Sequence, residues 1–174
     1  MFAKRGKSGM SKAPIQVFEN KEQFLACAKE WQEKLFLTDW FIKFSLTEEE
    51  LKDDAGNLLW GFCQQGANEN SAFITVYNKA DFSCGGEETK LWLKPCAELT
   101  LIHELLHLQF EYAEAITDED NEILREHFTH VALERMAKSL LMAKYDLNKQ
   151  WFFVPEDNDK DDIINLGDIN GENT

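Results

Sequence analysis

Hydrophobic residues recur at three- and four-residue intervals over positions 20–35, the spacing that places side chains on one face of an α-helix. The residues on this face are Phe24, Leu25, Ala28, Trp31 and Leu35. Asn20 is a suitable N-cap, and Gln23 can reach back to it. The pattern predicts an N-terminal helix that ends at Leu37-Thr38-Asp39.

Three segments after this helix have the composition of strands, namely 40–46, 58–63 and 72–77. Turn-forming residues precede the second and third segments. Because the connections are short, we expect an antiparallel meander, giving a three-stranded and mostly antiparallel sheet.

Two long helices are predicted after the loop at 79–93. Pro95 fits the first turn of a helix that runs to about Ala115. The second helix runs from about Asp118 to Lys144, with acidic residues at its start that the helix dipole favours. Together with the N-terminal helix and the sheet, these helices predict an α+β fold.

The composition indicates one domain with charged ends. A chain of 174 residues with 44% hydrophobic content can bury one core. We expect a flexible basic tail over 1–15, a domain over 16–153 and a disordered acidic tail over 154–174. The net charge of −14 argues against nucleic-acid binding.

No secretory signal or membrane-spanning apolar stretch is present in the sequence, so no membrane association is expected. The four cysteines show no CxxC spacing. They are interpreted as reduced thiols, which predicts a cytoplasmic location.

The first of the two long helices contains an HExxH motif, His103-Glu104-Leu105-Leu106-His107. Positions i and i+4 lie one turn apart on the same face, so both imidazoles can bind one metal while Glu104 holds a water molecule. The helix is apolar on nearly every side and should be buried, where unpaired histidines are costly unless a metal satisfies them. The alternative is a core helix whose histidines hydrogen-bond to neighbours. The motif favours a zinc hydrolase with Glu104 as the catalytic residue.

A catalytic zinc site needs a third protein ligand. The extended motif HExxHxxGxxH is excluded, because Phe110 and Ala113 stand where its glycine and third histidine would be. The candidates on the following helix are Glu122, Glu126, His127 and His130. A glutamate is the best option, so Glu126 is favoured and His130 is the main alternative.

The segment 101–108 resembles the HELLHL form of small phage and bacterial metallopeptidases of the minigluzincin type, and 125–128 resembles the Glu-His stretch that carries their third ligand. This resemblance covers roughly residues 20–145. It implies a zincin-like core that binds Zn²⁺ through His103, His107 and Glu126. Glu104 would then take a proton from the zinc-bound water and deliver it to the leaving amine of a peptide or protein substrate.

In zincins the strand before the motif helix lies at the edge of the cleft, so the resemblance also implies that residues 72–77 pair with an extended peptide. Two rival functions stay open. One is a non-catalytic, zinc-stabilised assembly or regulatory module. The other is a metal-free binding module.

Overall fold

A computed structural model describes residues 13–66, 70–79, 96–114 and 122–152, with side chains except in 111–114 and 122–127. Its helices are α1 (Lys21–Lys34), α2 (Ala97–Glu114), α3 (Glu122–Tyr145) and a closing 3₁₀ helix (Lys149–Phe152). Its strands are β1 (Phe41–Thr47), β2 (Leu51–Lys52), β3 (Leu58–Leu59), β4 (Gly61–Gln65) and β5 (Ser71–Tyr77). The predicted α+β class is confirmed. Residues 1–12 and 153–174, which carry most of both predicted tails, lie outside the described residues.

The start of α1 is fixed by two side chains. Asn20 Oδ1 accepts a hydrogen bond from the Gln23 amide at 2.8 Å, as an N-cap does. Gln23 Oε1 accepts from the Glu19 amide at 2.8 Å, one residue before the expected partner. The helix ends at Lys34, earlier than predicted, and Phe36 follows with a left-handed φ of 57°.

The sheet differs from the predicted meander. Its strand order is β1-β5-β4, with β1 parallel and β4 antiparallel to β5, while β2 and β3 form a separate antiparallel pair. The most apolar strand takes the centre, since Ala72, Ile74 and Val76 of β5 are fully buried. The prediction of a mostly antiparallel sheet is therefore wrong, and the sheet is mixed.

This strand order also corrects the expected peptide-binding strand. Both edges of β5 are hydrogen-bonded to neighbouring strands, so residues 72–77 have no edge left for a peptide. On its outer side, β4 pairs with no strand among the described residues. The sheet edge that lies next to α2 and could pair with a peptide is therefore that of β4, Gly61–Gln65.

Helix α2 occupies the middle of the fold, in contact with α1, α3, β4 and β5. It is buried on most sides, through Leu101, Ile102, Leu105, Leu106 and Leu108. Each of these side chains contributes about 1.5–3 kcal/mol of hydrophobic stabilisation. In the part of the chain that is described, no helix combines the length and apolarity needed to cross a bilayer.

A fully buried carboxylate, Glu98, lies at the start of α2. Its oxygens accept hydrogen bonds from Trp31 Nε1 at 2.8 Å, Lys144 Nζ at 2.9 Å, the Tyr145 hydroxyl at 2.9 Å and the Ile15 amide at 3.0 Å. Burial disfavours the charged form of Lys144, but the contacts with Glu98 outweigh it and raise the pKa of Lys144 above its ordinary value. The charge buried at Glu98 is therefore compensated by partners on three other segments.

Replacing Glu98 by glutamine should lower the free energy of unfolding by about 1.5–3 kcal/mol, because Lys144 loses its fully buried counter-charge and keeps only the partly exposed Glu30 carboxylate, 3.1 Å away. Urea unfolding followed by tryptophan fluorescence measures the change. Glu50→Gln is the matched control, since the Glu50–Lys52 ion pair is half exposed and its loss should cost under about 1 kcal/mol. Equal effects of the two substitutions would contradict the assigned role of Glu98.

Candidate metal centre

Three histidines from two helices converge at one point. α2 places His103 and His107 one turn apart, and the packing of α3 against α2 brings His130 next to both. One ring nitrogen from each lies within 4.8 Å of the other two. Nitrogens around a tetrahedral zinc, at about 2.0–2.1 Å from the metal, are about 3.4 Å apart. Small side-chain movements would therefore bring these three nitrogens to ligand distances.

The surroundings of His103 support this interpretation. Its Nδ1 atom is buried and has no hydrogen-bond partner among the described residues. It lies 3.5 Å from Glu134 Oε2, an electrostatic contact rather than a well-formed hydrogen bond. Histidine ligands commonly bind a metal through one ring nitrogen and donate the other N–H to a carboxylate. The pair His103–Glu134 fits that arrangement.

Glu134 is held in its charged form. Burial alone would raise its pKa, but the neighbouring His103 and the Lys138 ammonium, 2.9 Å away, lower the pKa of Glu134 to about 2. A carboxylate that stays ionised at neutral pH can orient a ligand histidine and increase its basicity.

The pKa of Glu104 is shifted in the opposite direction. It is 7% exposed, and burial raises the pKa of its carboxyl group to about 7, against a smaller opposing effect of His103. A general base is most effective when its pKa lies near the working pH. The environment of Glu104 therefore suits proton transfer rather than a fixed charge.

His107 is kept neutral. Burial, together with the nearby His103 and His130, lowers its pKa to about 4. Because a metal binds the neutral imidazole, this histidine is ready to act as a ligand at physiological pH without first losing a proton.

An apolar cavity of about 320 Å³ lies beside these groups. Its apolar lining includes Leu58, Leu59, Trp60, Leu99 and Phe152, and its polar lining includes His103, Glu104, His130, Glu134 and Lys138. The cavity is bounded on one side by Gly61, where β4 begins. The cavity could therefore hold an apolar group of a ligand next to Glu104, His103 and His130.

The structure brings together three of the residues singled out from the sequence, plus the alternative third ligand His130. The side chains of Glu126, Glu122 and His127 lie outside the described ones, so the preference for Glu126 stays a prediction. Sequence reasoning missed Glu134. A signal for it exists, because Glu134 continues the four-residue spacing of Glu122, Glu126 and His130 by one more turn.

No known family model, curated protein or solved structure matches this chain. Its function therefore has to be inferred from the centre itself.

Exchanging the candidate third ligands one at a time tests the geometry. We expect His130→Ala to weaken zinc binding by more than the 10- to 100-fold typical of losing an outer partner of a ligand. Glu126→Ala, on the same helix, should leave zinc affinity within a few-fold. Competition with a chromophoric chelator measures both. Zinc retained by His130→Ala but lost from Glu126→Ala would make Glu126 the ligand instead.

In metal-free protein, two groups of the centre act on stability in opposite directions. The ordinary carboxyl pKa of 4.5 is raised to about 7 for Glu104. The folded state therefore binds this proton more tightly, and stability falls as pH rises from 4.5 to 7. The ordinary imidazole pKa of 6.5 is lowered to about 4 for His107. Stability due to His107 is therefore lost as pH falls from 6.5 to 4.

Removing the Glu104 ionisation should make the His107 effect visible. Metal-free Glu104→Gln should lose stability as pH is lowered from 6.5 to 4.5, whereas the wild type should change less over this window. Urea midpoints in the presence of a chelator measure this, and adding His107→Ala should flatten the profile. Identical pH profiles for the wild type and Glu104→Gln would contradict the opposed titrations.

Proposed function

We propose that this protein is a zinc-dependent hydrolase of peptide bonds, built on a zincin-like core. The observation that carries this proposal is the position of Glu104. Its buried carboxyl group lines the same cavity as His103 and His130, and its pKa is raised to about 7. A structural glutamate would be expected to have a cationic partner, as Glu98 has in Lys144 and Glu134 has in Lys138.

The order of elements supports the zincin-like architecture. A first helix is followed by a mixed sheet with an antiparallel edge strand, then by the HExxH helix and a second helix against it. The segment 101–108 resembles the corresponding helix of minigluzincins, which agrees with this order. The proposed core comprises α1 to α3 and the three-stranded sheet.

His103, His107 and His130 would hold the zinc ion, with Glu126 as the alternative to His130. Bound zinc would supply a Lewis acid that polarises a carbonyl group and makes a water molecule more acidic. Glu134 would fix the orientation of the His103 ring, because its Oε2 atom already lies 3.5 Å from His103 Nδ1. The chain thus offers both ligands and a group that orients one of them.

Glu104 is the proposed general base. Its buried carboxyl group lines the cavity beside the proposed ligands, where it could accept a proton from the attacking water and then donate it to the leaving amine. Its burial keeps bulk water from competing for this proton. Both proton transfers use one carboxyl group, so no second acid is required.

The proposed substrate is an extended peptide. The outer edge of β4 can pair with a peptide backbone in the manner of an added strand. An apolar side chain of that peptide would fill the cavity between Trp60, Leu99 and Phe152. Pairing of the peptide backbone with β4 would supply affinity that does not depend on the peptide's sequence. The cavity would select peptides by the side chain that it accepts.

A zinc-stabilised module without catalysis is the rival proposal, since a metal between α2 and α3 would also strengthen their packing. The two proposals differ in what they require of Glu104. A module needs the histidines alone, whereas a hydrolase needs the proton acceptor as well.

Glu104→Gln should reduce hydrolysis by about 100- to 10,000-fold, because the amide cannot accept the proton. Zinc content, measured by elemental analysis, should stay at the wild-type level. Cleavage of a fluorescently labelled unfolded protein measures the activity. Glu22→Gln, on the exposed first turn of α1, is the control and should be fully active. Wild-type rates in Glu104→Gln would contradict the hydrolase and leave the zinc-stabilised module.

A further inference from the structure

Gly61, the first residue of β4, lies directly against the catalytic candidate. A Cβ atom at this position would come within 2.7 Å of Glu104 Oε1, 2.8 Å of Glu104 Cγ and 2.6 Å of Thr100 Cγ2. Non-bonded carbon atoms have their optimal separation at about 3.5–4.0 Å. No side chain therefore fits at Gly61 unless one of these groups moves.

The neighbours have little freedom to give way. Glu104 is 7% exposed, and the contact at Cγ lies near the base of its side chain, so a turn of the terminal carboxyl group alone would not relieve it. Thr100 is buried and β-branched, which restricts its rotation, and its hydroxyl lies 3.4 Å from the Cys96 carbonyl oxygen. Gly61 itself is held by pairing with Val76 of β5.

The same glycine bounds the cavity that Glu104 lines. Its missing side chain lets β4 approach α2 closely enough for the glutamate to lie between strand and helix. The space that Glu104 occupies is thus created by a backbone position on a different element.

We propose that Gly61 is a positioning residue of this site, because its lack of a side chain leaves the space in which the Glu104 carboxyl group reaches the cavity. The proposal rests on the proposed hydrolase for its catalytic meaning. An ordinary edge-strand glycine would affect only the stability of β4. If Gly61 positions Glu104, the effect of a substitution at Gly61 must also depend on the side chain of Glu104.

The first experiment measures turnover. Gly61→Ala should lower kcat about 100-fold, the size of effect expected when a reacting group is displaced by about 1 Å. KM and zinc content should stay near wild-type values, since neither the cavity's apolar wall nor the histidines change. Ser45→Ala, at an exposed position of β1, is the control and should keep the wild-type kcat. A wild-type kcat in Gly61→Ala would overturn the proposal.

The second experiment needs no activity and uses the metal-free protein. Gly61→Ala should lower the urea midpoint in the wild-type background, less in Glu104→Ala, and least in Thr100→Ala/Glu104→Ala, where both crowded groups are gone. An equal fall in all three backgrounds would overturn the contact. If Gly61→Ala does not fold, Thr100→Ala/Gly61→Ala, with one clash removed, replaces it in both experiments.

The two experiments separate the possible failures. A wild type without hydrolytic activity overturns the proposed function, and the catalytic role of Gly61 with it. Coupled midpoints would then still support the contact between Gly61 and Glu104. Loss of activity in Glu104→Gln together with full activity in Gly61→Ala would leave the hydrolase standing and overturn only the positioning role.

Discussion

The burial of Glu98 at the beginning of α2 is the constraint on which the rest of the structure depends. One carboxylate accepts hydrogen bonds from the segment before α1, from α1 itself and from the end of α3. An unpaired charge at this depth would be very costly, so these segments must meet correctly for the fold to be stable. Since α2 carries His103 and α3 carries His130, the same network fixes the two helices that form the candidate metal centre.

Three glutamates of α2 and α3, namely Glu98, Glu104 and Glu134, lie in different environments. Glu98 and Glu134 have cationic or imidazole partners within hydrogen-bonding or ion-pair distance. Glu104 is 7% exposed, and its burial raises its pKa to about 7. Environment, not residue type, separates the structural carboxylates from the one suited to proton transfer.

The sequence predicted what depends on local periodicity and missed what depends on tertiary pairing. The N-cap at Asn20 and the two long helices follow from spacing, and so does the alignment of His103 with His107. Strand order does not, because the parallel pairing of β1 with β5 leaves no local signal. The third ligand was equally undetermined, since the position of α3 along α2 decides which turn of its Glu122, Glu126, His130 and Glu134 face lies opposite the motif. Glu134, one turn beyond His130, was missed for the same reason.

The parallel pairing of β1 with β5 has a consequence for the order in which the chain acquires structure. Each residue of β1 pairs with one 30 positions later, as Phe41 does with Ser71. Closing such a loop costs chain entropy before the contacts compensate for it, so non-local sheets form slowly. During synthesis β1, β5 and α2 all precede α3. The three histidines can therefore converge only after the residues of the sheet have been made.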